Sequence, residues 1–278
     1  MDEQKALNPK MILIDLDGTL LNTNKKIGKK DWKTLESLGA QGYVRVFATG
    51  RTLFSALDVL NDSTPFDYLV FSSGAGIIDW SNRKIIYQTF LNEIQISKTE
   101  QVLRSLKVNY SIQEPIPENH RYFYYQAKKT NTDFEWRNDL YKAYATELSS
   151  AYPLKQATQF LVILENEIDF EKVKKKIPDL KVIRATSPID EKSIWLEIFP
   201  ENVSKAEGGK YLCKMLNIPE QNTVGIGNDY NDIDLLSWTN RSFAVANSPE
   251  IIKNSFTVCT NNENNPLTDV VKRILKLL

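Results

Sequence analysis

Short runs of consecutive apolar residues alternate, in the first third of the chain, with stretches whose apolar positions recur every three or four residues. "MILID" (11–15) is a buried type of strand. "KKDWKTLESLGAQG" (29–42) puts Trp32, Leu35 and Leu38 at helical spacing and ends in glycine. "YVRVFATG" (43–50) is β-branched and aromatic, "RTLFSALDVLND" (51–62) predicts a helix, and "YLVFSSG" (68–74) predicts a third strand. Strand–helix–strand units of this length imply right-handed crossovers and a parallel sheet. The last third repeats the scheme, with helices predicted in "KAEGGKYLCKMLN", "DIDLLSW", "PEIIKN" and "PLTDVVKRILKLL" and strands in "TVGIG", "SFAVAN" and "FTVCT".

The middle has a different texture. From "KIIYQTF" to "IWLEIFP" the strand-like runs are longer ("RYFYYQAKK", "QFLVILE", "LKVIRAT", "SIWLEIF"), and helix patterns fall between them: "EIQISKTEQVLRSL", "DFEWRNDLYKAYATEL" and "FEKVKKKI". Strands with helices segregated to one face describe an α+β layer. The expected architecture is therefore α/β: a Rossmann-like parallel-sheet core from residues 1–83 and 200–278, interrupted by an α+β insert over 84–199. The alternating aromatics around Arg121, Tyr122, Tyr124, Tyr125 and Trp136 predict the insert's own core rather than a nucleic-acid platform. The clusters "DSTP" and "NNENNP" read as ordinary loops, and "EKVKKKIPDLK" as a solvated helix face.

Charge narrows the partners. With 35 basic against 35 acidic residues, no general affinity for nucleic acid or an anionic membrane is expected. The N-terminal decapeptide is polar and carries acids, unlike a signal peptide, and no apolar run of about 18 residues could span a bilayer. Cys213 and Cys259 are the only cysteines and lack CxxC spacing, which predicts a reducing, cytoplasmic setting without disulfides. His120 is the only histidine, expected at the surface in solvent, so the chemistry falls to carboxylates, hydroxyls and lysines. The oligomeric state is left open by the sequence.

Ligand sites of parallel α/β sheets lie beyond the carboxyl ends of the strands. Four strand ends here carry polar or acidic residues with glycine: Asp15-Leu16-Asp17-Gly18-Thr19, Thr49-Gly50-Arg51, Ser72-Ser73-Gly74-Ala75-Gly76, and Gly227-Asn228-Asp229-Tyr230-Asn231-Asp232. The period-two geometry of a strand starts Asp15 and Asp17 on the same side, and Gly18 permits a tight turn there. Two adjacent carboxylates stay ionised together only with a cation between them. Magnesium, hard and satisfied by one or two carboxylates plus water and phosphate oxygens, is the natural candidate.

"DLDGTLL", "ATGR", "NVSKAEGGKYL" and "GNDYND" resemble, in order and spacing, the four motifs of the haloacid dehalogenase superfamily, and more narrowly its Cof-type phosphatases with a large α/β cap. The resemblance spans nearly the whole chain. It implies that Asp15 attacks phosphorus and becomes an aspartyl phosphate. Asp17 would protonate the leaving oxygen and then activate water, while its main-chain carbonyl ligates magnesium. Lys205 would neutralise nucleophile and phosphoryl group. Thr49 would bind phosphate, with Gly50 admitting a main-chain N–H close to it, although Thr49 could equally cap the following helix. The cap would close over the strand ends and select the leaving group.

Two positions depart from the pattern. Asn228 stands where the family places a magnesium-binding aspartate, so either Asn228 supplies a neutral carbonyl ligand or Asp229 takes over; Asp232 matches an outer-shell aspartate of the metal site and Asn231 a residue orienting phosphate or Lys205. In "SSGAGI", Ser73 replaces the common asparagine, leaving Ser73 and Gly74 as leaving-group contacts or as a plain turn. The resemblance implies a magnesium-dependent phosphatase acting on a small phosphorylated metabolite, a sugar phosphate foremost. The alternatives are a phosphosugar mutase of the phosphomannomutase type, which shares the Gly-Asn-Asp-Tyr string, and a sugar-phosphate sensor whose catalysis has decayed at Asn228.

Overall fold

The computed structural model describes residues 10–127, 131–164, 166–187 and 193–275. The chain divides into two units: Met1–Arg51, Ser55–Tyr87 and Ser204–Leu278 form the first, Thr52–Phe54 with Gln88–Val203 the second.

In the first unit eight strands form one sheet. Its order is Thr257–Cys259, Arg241–Val245, Thr223–Gly227, Met11–Asp15, Val44–Ala48, Tyr68–Phe71, Gly76–Asp79 and Lys84–Gln88. The first six run parallel, and Gly76–Asp79 turns back antiparallel. Residues 84–87, read from the sequence as the start of the insert, continue this sheet. Met11–Asp15 is wholly buried, as its unbroken apolar run demands of a strand covered on both faces. The chain winds outward from it in both directions, so the loops after Met11–Asp15 and Thr223–Gly227 diverge at a topological switch point. The flanking core includes Leu13, Val46, Val70, Leu212 and Leu235.

The second unit holds a six-stranded sheet, in the order Leu180–Thr186, Ile194–Pro200, Phe160–Leu164, Tyr110–Gln113, Tyr122–Tyr125 and Ala145–Glu147. Only the last pair is parallel. The helices Glu93–Ser105 and Glu167–Lys176 supply Ile96, Leu103, Phe170 and Val173 to a core shared with Tyr110, Phe160, Val162 and Leu196. The opposite sheet face is mixed: Ser111, Gln113, Gln159 and Glu197 are buried there around Leu161, which is in register with Ser111 and Glu197.

Several elements differ from expectation. The helix expected over 51–62 is only Leu53–Ala56; the Asn61 main-chain N–H donates to Thr64 Oγ1 and Asn61 Oδ1 accepts from Ser63, a local polar turn that competes with further helix. The helix expected over 133–148 ends at Leu140, because Ala145–Glu147 pairs with Tyr122–Tyr124 and the ladder claims that backbone. Trp136 is 43% exposed rather than core. His120 is not solvated: its side chain is 10% exposed, its ring stacks on Phe54 at 4.3 Å and meets Tyr144 edge-on. Cys213 and Cys259 are free and buried. The polar N-terminal residues 1–9 and part of "RYFYYQAKK" lie outside the described residues. No helix among the described residues is long and apolar enough to cross a membrane.

Candidate active site

The site grows from strand ends inside the first unit. Asp15 is the last residue of Met11–Asp15 and Ala48, its partner in register, ends the neighbouring strand, so Thr49 follows beside it. On the other flank Ile14 pairs with Ile226, bringing Gly227 and Asn228 to the same edge. Lys205 opens the helix Lys205–Leu216, whose cap is Ser204 accepting from the Glu207 N–H at 3.1 Å. A cation at a helix N-terminus opposes the helix dipole, so something other than helix stability holds it there.

That something is a pair of carboxylates. Lys205 is wholly buried, and its Nζ donates at 2.6 Å to Asp15 Oδ1 and at 2.6 Å to Asp232 Oδ1. A longer bond of 3.4 Å reaches Asn231 Oδ1. Burial first and the Asp232 charge second push Asp15 up to about 7, although Lys205 pulls it back. Burial alone would lower Lys205, but Asp15 and Asp232 raise it, so the ammonium stays charged. With both carboxylates ionised, this triad carries one negative charge in excess of its ammonium.

Asp17 lies in a different field. Arg51 grips it through both oxygens, Nε to Oδ2 at 2.6 Å and Nη2 to Oδ1 at 2.8 Å, and Lys25 Nζ adds a contact to Oδ1 at 2.9 Å. Arg51 Nη1 donates to the Ser55 carbonyl at 2.9 Å, which fixes the guanidinium. Burial alone would raise Asp17, but Arg51 first and Lys25 second overcome it and hold the carboxyl down to about 2.

Around these groups the backbone is tightly specified. Gly18 adopts φ +75, and a side chain there would run into the Asn228 amide 2.5 Å away; only glycine meets both conditions. Thr19 Oγ1 donates to Asn228 Oδ1 at 3.1 Å. Thr49 is buried and its hydroxyl accepts the Arg51 N–H at 3.1 Å; the helix opens only at Leu53, so this is a local turn and not the helix cap expected of Thr49. A methyl group on Gly50 would sit 3.5 Å from Ser73 Oγ and 3.5 Å from Asn231 Nδ2, which places those three residues together. Ser72 and Ser73 both take positive φ, 49 and 55, and the Ser73 N–H donates to the Thr49 carbonyl at 3.0 Å. Consecutive left-handed residues that are not glycine mark a constrained loop, and asparagine, which tolerates that region well, would suit position 73. Gly74, at φ +109, lies against the Ser204 main chain.

Asp232 turns inward with both oxygens engaged: Oδ1 holds Lys205, and Oδ2 accepts the N–H groups of Asn228 at 2.8 Å and Asp229 at 3.1 Å. It shapes the loop and holds Lys205. Asp229 forms a reciprocal capping box with Asp232, a local duty that Asn228 does not share.

Among the described residues no three His, Cys, Asp or Glu converge as a ready-made metal cage. Magnesium does not need one. The Asp15 carboxylate, the Asn228 carbonyl oxygen and the Asp17 main chain are hard oxygen donors at neighbouring strand ends, and the triad's excess negative charge suits a cation. The donor set fits that ion.

Arg51 and Lys25 had no role in the sequence reading. Arg51 was visible within "ATGR", but nothing local joins Lys25 to Asp17.

The sequence profile of the haloacid dehalogenase-like hydrolases matches residues 12–271, and the chain belongs to that family. It is 24% identical over 301 residues to phosphatase YwpJ of Bacillus subtilis, an alignment covering 96% of this chain and 100% of that protein. Among solved structures, the phosphatase-superfamily protein BT1666 of Bacteroides thetaiotaomicron superposes with a TM-score of 0.80 at 18% identity, covering 99% of this chain and 98% of the other. The subclass IIB sugar phosphatase BT4131 gives 0.76 at 18% identity, covering 97% and 100%. These superpositions establish the shared fold.

Proposed function

We propose that the protein is a magnesium-dependent phosphatase that releases phosphate from a small phosphorylated metabolite, a sugar phosphate foremost, through an aspartyl phosphate on Asp15. The observation that carries this reading is the buried Lys205 shared at 2.6 Å between Asp15 and Asp232, with a second carboxylate, Asp17, two residues from the first. A nucleophilic carboxylate approaching an anionic phosphoryl group requires such neutralisation.

In the first step an Asp15 oxygen bonds to phosphorus as the bond to the leaving oxygen breaks, and Asp17 delivers a proton to that oxygen. Water then attacks phosphorus, Asp17 takes its proton, and the Asp15–phosphorus bond breaks. Thr49 and the Gly50 N–H receive phosphoryl oxygens, Asn231 orients Lys205, and Ser73 with Gly74 borders the leaving group. Asp15, the Asp17 carbonyl and Asn228 would hold magnesium, whose charge offsets that of the phosphoryl group. Asp232 reads as the residue that positions Lys205 rather than as a ligand.

At about 2, Asp17 is a carboxylate in the resting protein and cannot yet act as an acid. An arriving phosphoryl dianion supplies the change: it competes for the Arg51 guanidinium and adds negative charge beside Asp17, both of which raise its proton affinity. Support for a polyhydroxylated leaving group comes from BT4131, named a sugar phosphatase.

The test is phosphate release across a panel of phosphorylated metabolites with magnesium, for the wild type and Asp15→Asn. Turnover in the wild type and none in the folded variant is expected, because an amide cannot attack phosphorus. Equal turnover in the two proteins would refute the covalent route, and an added sugar bisphosphate requirement would favour the mutase.

A further inference from the structure

The polar loop "TNNENNP" (260–266) lies far along the chain from the nucleophile, yet it is bonded to the segment that follows it. Residues 17–27 fold into a small hairpin with few bonds of its own: Leu21 bridges Asp17 and Ile27, the Asn22 N–H donates to the Lys26 carbonyl at 3.0 Å, and the Lys25 N–H to the Asn22 carbonyl at 2.9 Å. Asn22 Oδ1 accepts from the N–H groups of Asn24 and Lys26, at 3.0 Å each. At its tip Lys25 takes φ 56, a left-handed conformation costly for a branched-free but Cβ-bearing side chain, and sends Nζ to Asp17.

Three side chains from later in the chain grip this hairpin, mostly by main-chain groups, and a fourth, Asn265, holds the start of the helix that follows it. Asn247 Nδ2 donates to the Gly18 carbonyl at 2.8 Å, and Asn262 Nδ2 to the Leu21 carbonyl at 3.2 Å. Glu263 Oε1 accepts from Thr23 twice, from N at 2.7 Å and from Oγ1 at 2.6 Å. Asn265 Oδ1 accepts from the Lys30 N–H at 3.3 Å. The Asn262 N–H donates to Asn247 Oδ1 at 3.1 Å, which ties two of the grips together. The loop is itself anchored to the last helix, where Asp269 accepts the Thr260 N–H at 3.0 Å and pairs with Arg273.

Most of these bonds are solvent-exposed, and such bonds add little to global stability. Their number and their convergence on one side of the hairpin suit a different purpose. We propose that Asn247, Asn262 and Glu263 are positioning residues of the active site: they brace the 17–27 hairpin so that Lys25 meets Asp17 and the Asp17–Gly18 backbone keeps its place beside Asn228. This goes beyond the reading of Asp15 and Asp17 as catalytic groups but rests on it for its effect on turnover. Misplacing a catalytic group by about 1 Å can cost roughly a hundredfold in rate, and removal of one grip of several should cost about tenfold.

Two measurements on the full chain test it. The first is hydrogen exchange at the Lys25 and Lys26 amides, which bond to Asn22 and not to the brace. In Glu263→Ala and Asn262→Ala their exchange should quicken about tenfold or more, and unchanged exchange would overturn the proposal. The second is a double-variant cycle on kcat with p-nitrophenyl phosphate. Glu263→Ala alone should lower kcat about tenfold at nearly constant KM and an unchanged melting temperature, yet add little in the Lys25→Ala background. Glu263→Gln, which keeps an acceptor for Thr23, should restore most of the activity. Losses that multiply independently in the double variant, or that track loss of folded protein, would overturn the brace. If the wild type released no phosphate, the phosphatase reading would fall, and the amide exchange alone would still decide the brace.

Discussion

Lys205→Met isolates the electrostatics of the site, since methionine keeps most of the lysine's volume and leaves little cavity. The variant strands Asp15 and Asp232 in a buried position where each loses the ammonium that it holds at 2.6 Å. Two such carboxylates cannot both stay ionised, so one takes a proton. Protonating a carboxyl from its ordinary value of 3.8 at pH 7 costs about 4 kcal/mol, at 1.36 kcal/mol per unit. That lies within the roughly 3–5 kcal/mol expected for breaking a buried ion pair. At pH 5 the same protonation costs only about 1.6 kcal/mol. The sign follows from linkage: the variant's carboxyl is raised above its unfolded value, the folded state binds the extra proton, and stability rises as pH falls toward 4. Because Asp15 is already raised in the wild type, this cost is an upper bound on the difference; for a chain of this size, with about 2–4 °C per kcal/mol, the variant should melt at most roughly 8–16 °C below the wild type at pH 7. At pH 5 the deficit should shrink to roughly 3–6 °C. The assay is circular-dichroism melting of both proteins in matched buffers, reading the difference between them. A deficit that is absent, or the same at both pH values, would refute the placement of Lys205 between Asp15 and Asp232.

Two further outcomes follow from the same geometry. Asn228→Asp should lower the magnesium concentration for half-maximal activity, by adding one charge to a neutral ligand, whereas Asp229→Ala should change it little because Asp229 is engaged in capping Asp232; the reverse result would make Asp229 the ligand. Arg51→Ala should cost about 1 kcal/mol or less at neutral pH, after allowing for the solvent around Asp17. Because Asp17 is depressed to about 2, that contribution is present above about pH 4 and lost as pH falls toward 2. Acid titration of the two proteins should therefore converge below pH 4, and parallel curves would mean that Arg51 does not hold the Asp17 charge.

Asp15, Asp17, Thr49 and Lys205 were legible because each sits where a strongly patterned element begins or ends. The four-residue apolar run Met11–Ile14 reads as a buried strand, and the residue after it, Asp15, emerges at the sheet's edge. The helices were less legible. The 51–62 pattern stops early at the Asn61–Thr64 turn, and Tyr141 onward leaves the helix for a ladder with Tyr122–Tyr124. In both places local periodicity lost to a partner whose presence the periodicity does not encode. His120 was misread for the same reason, since its stacking partner Phe54 belongs to a distant stretch.

What this sequence determined by itself is the order of the parts: the strands, the acids at their ends, and the glycines that let the chain turn there. Those are properties of a few consecutive residues, and backbone geometry translates them directly into structure. Only the tertiary structure decided how the charges pair. That Lys205 divides itself between Asp15 and Asp232, that Arg51 and Lys25 share Asp17, and that Asn247, Asn262 and Glu263 hold the hairpin beside it are contacts between residues remote in sequence. A lysine or asparagine on a loop carries no local sign of its partner, because hydrogen bonds and ion pairs depend on where the packed core brings two side chains together.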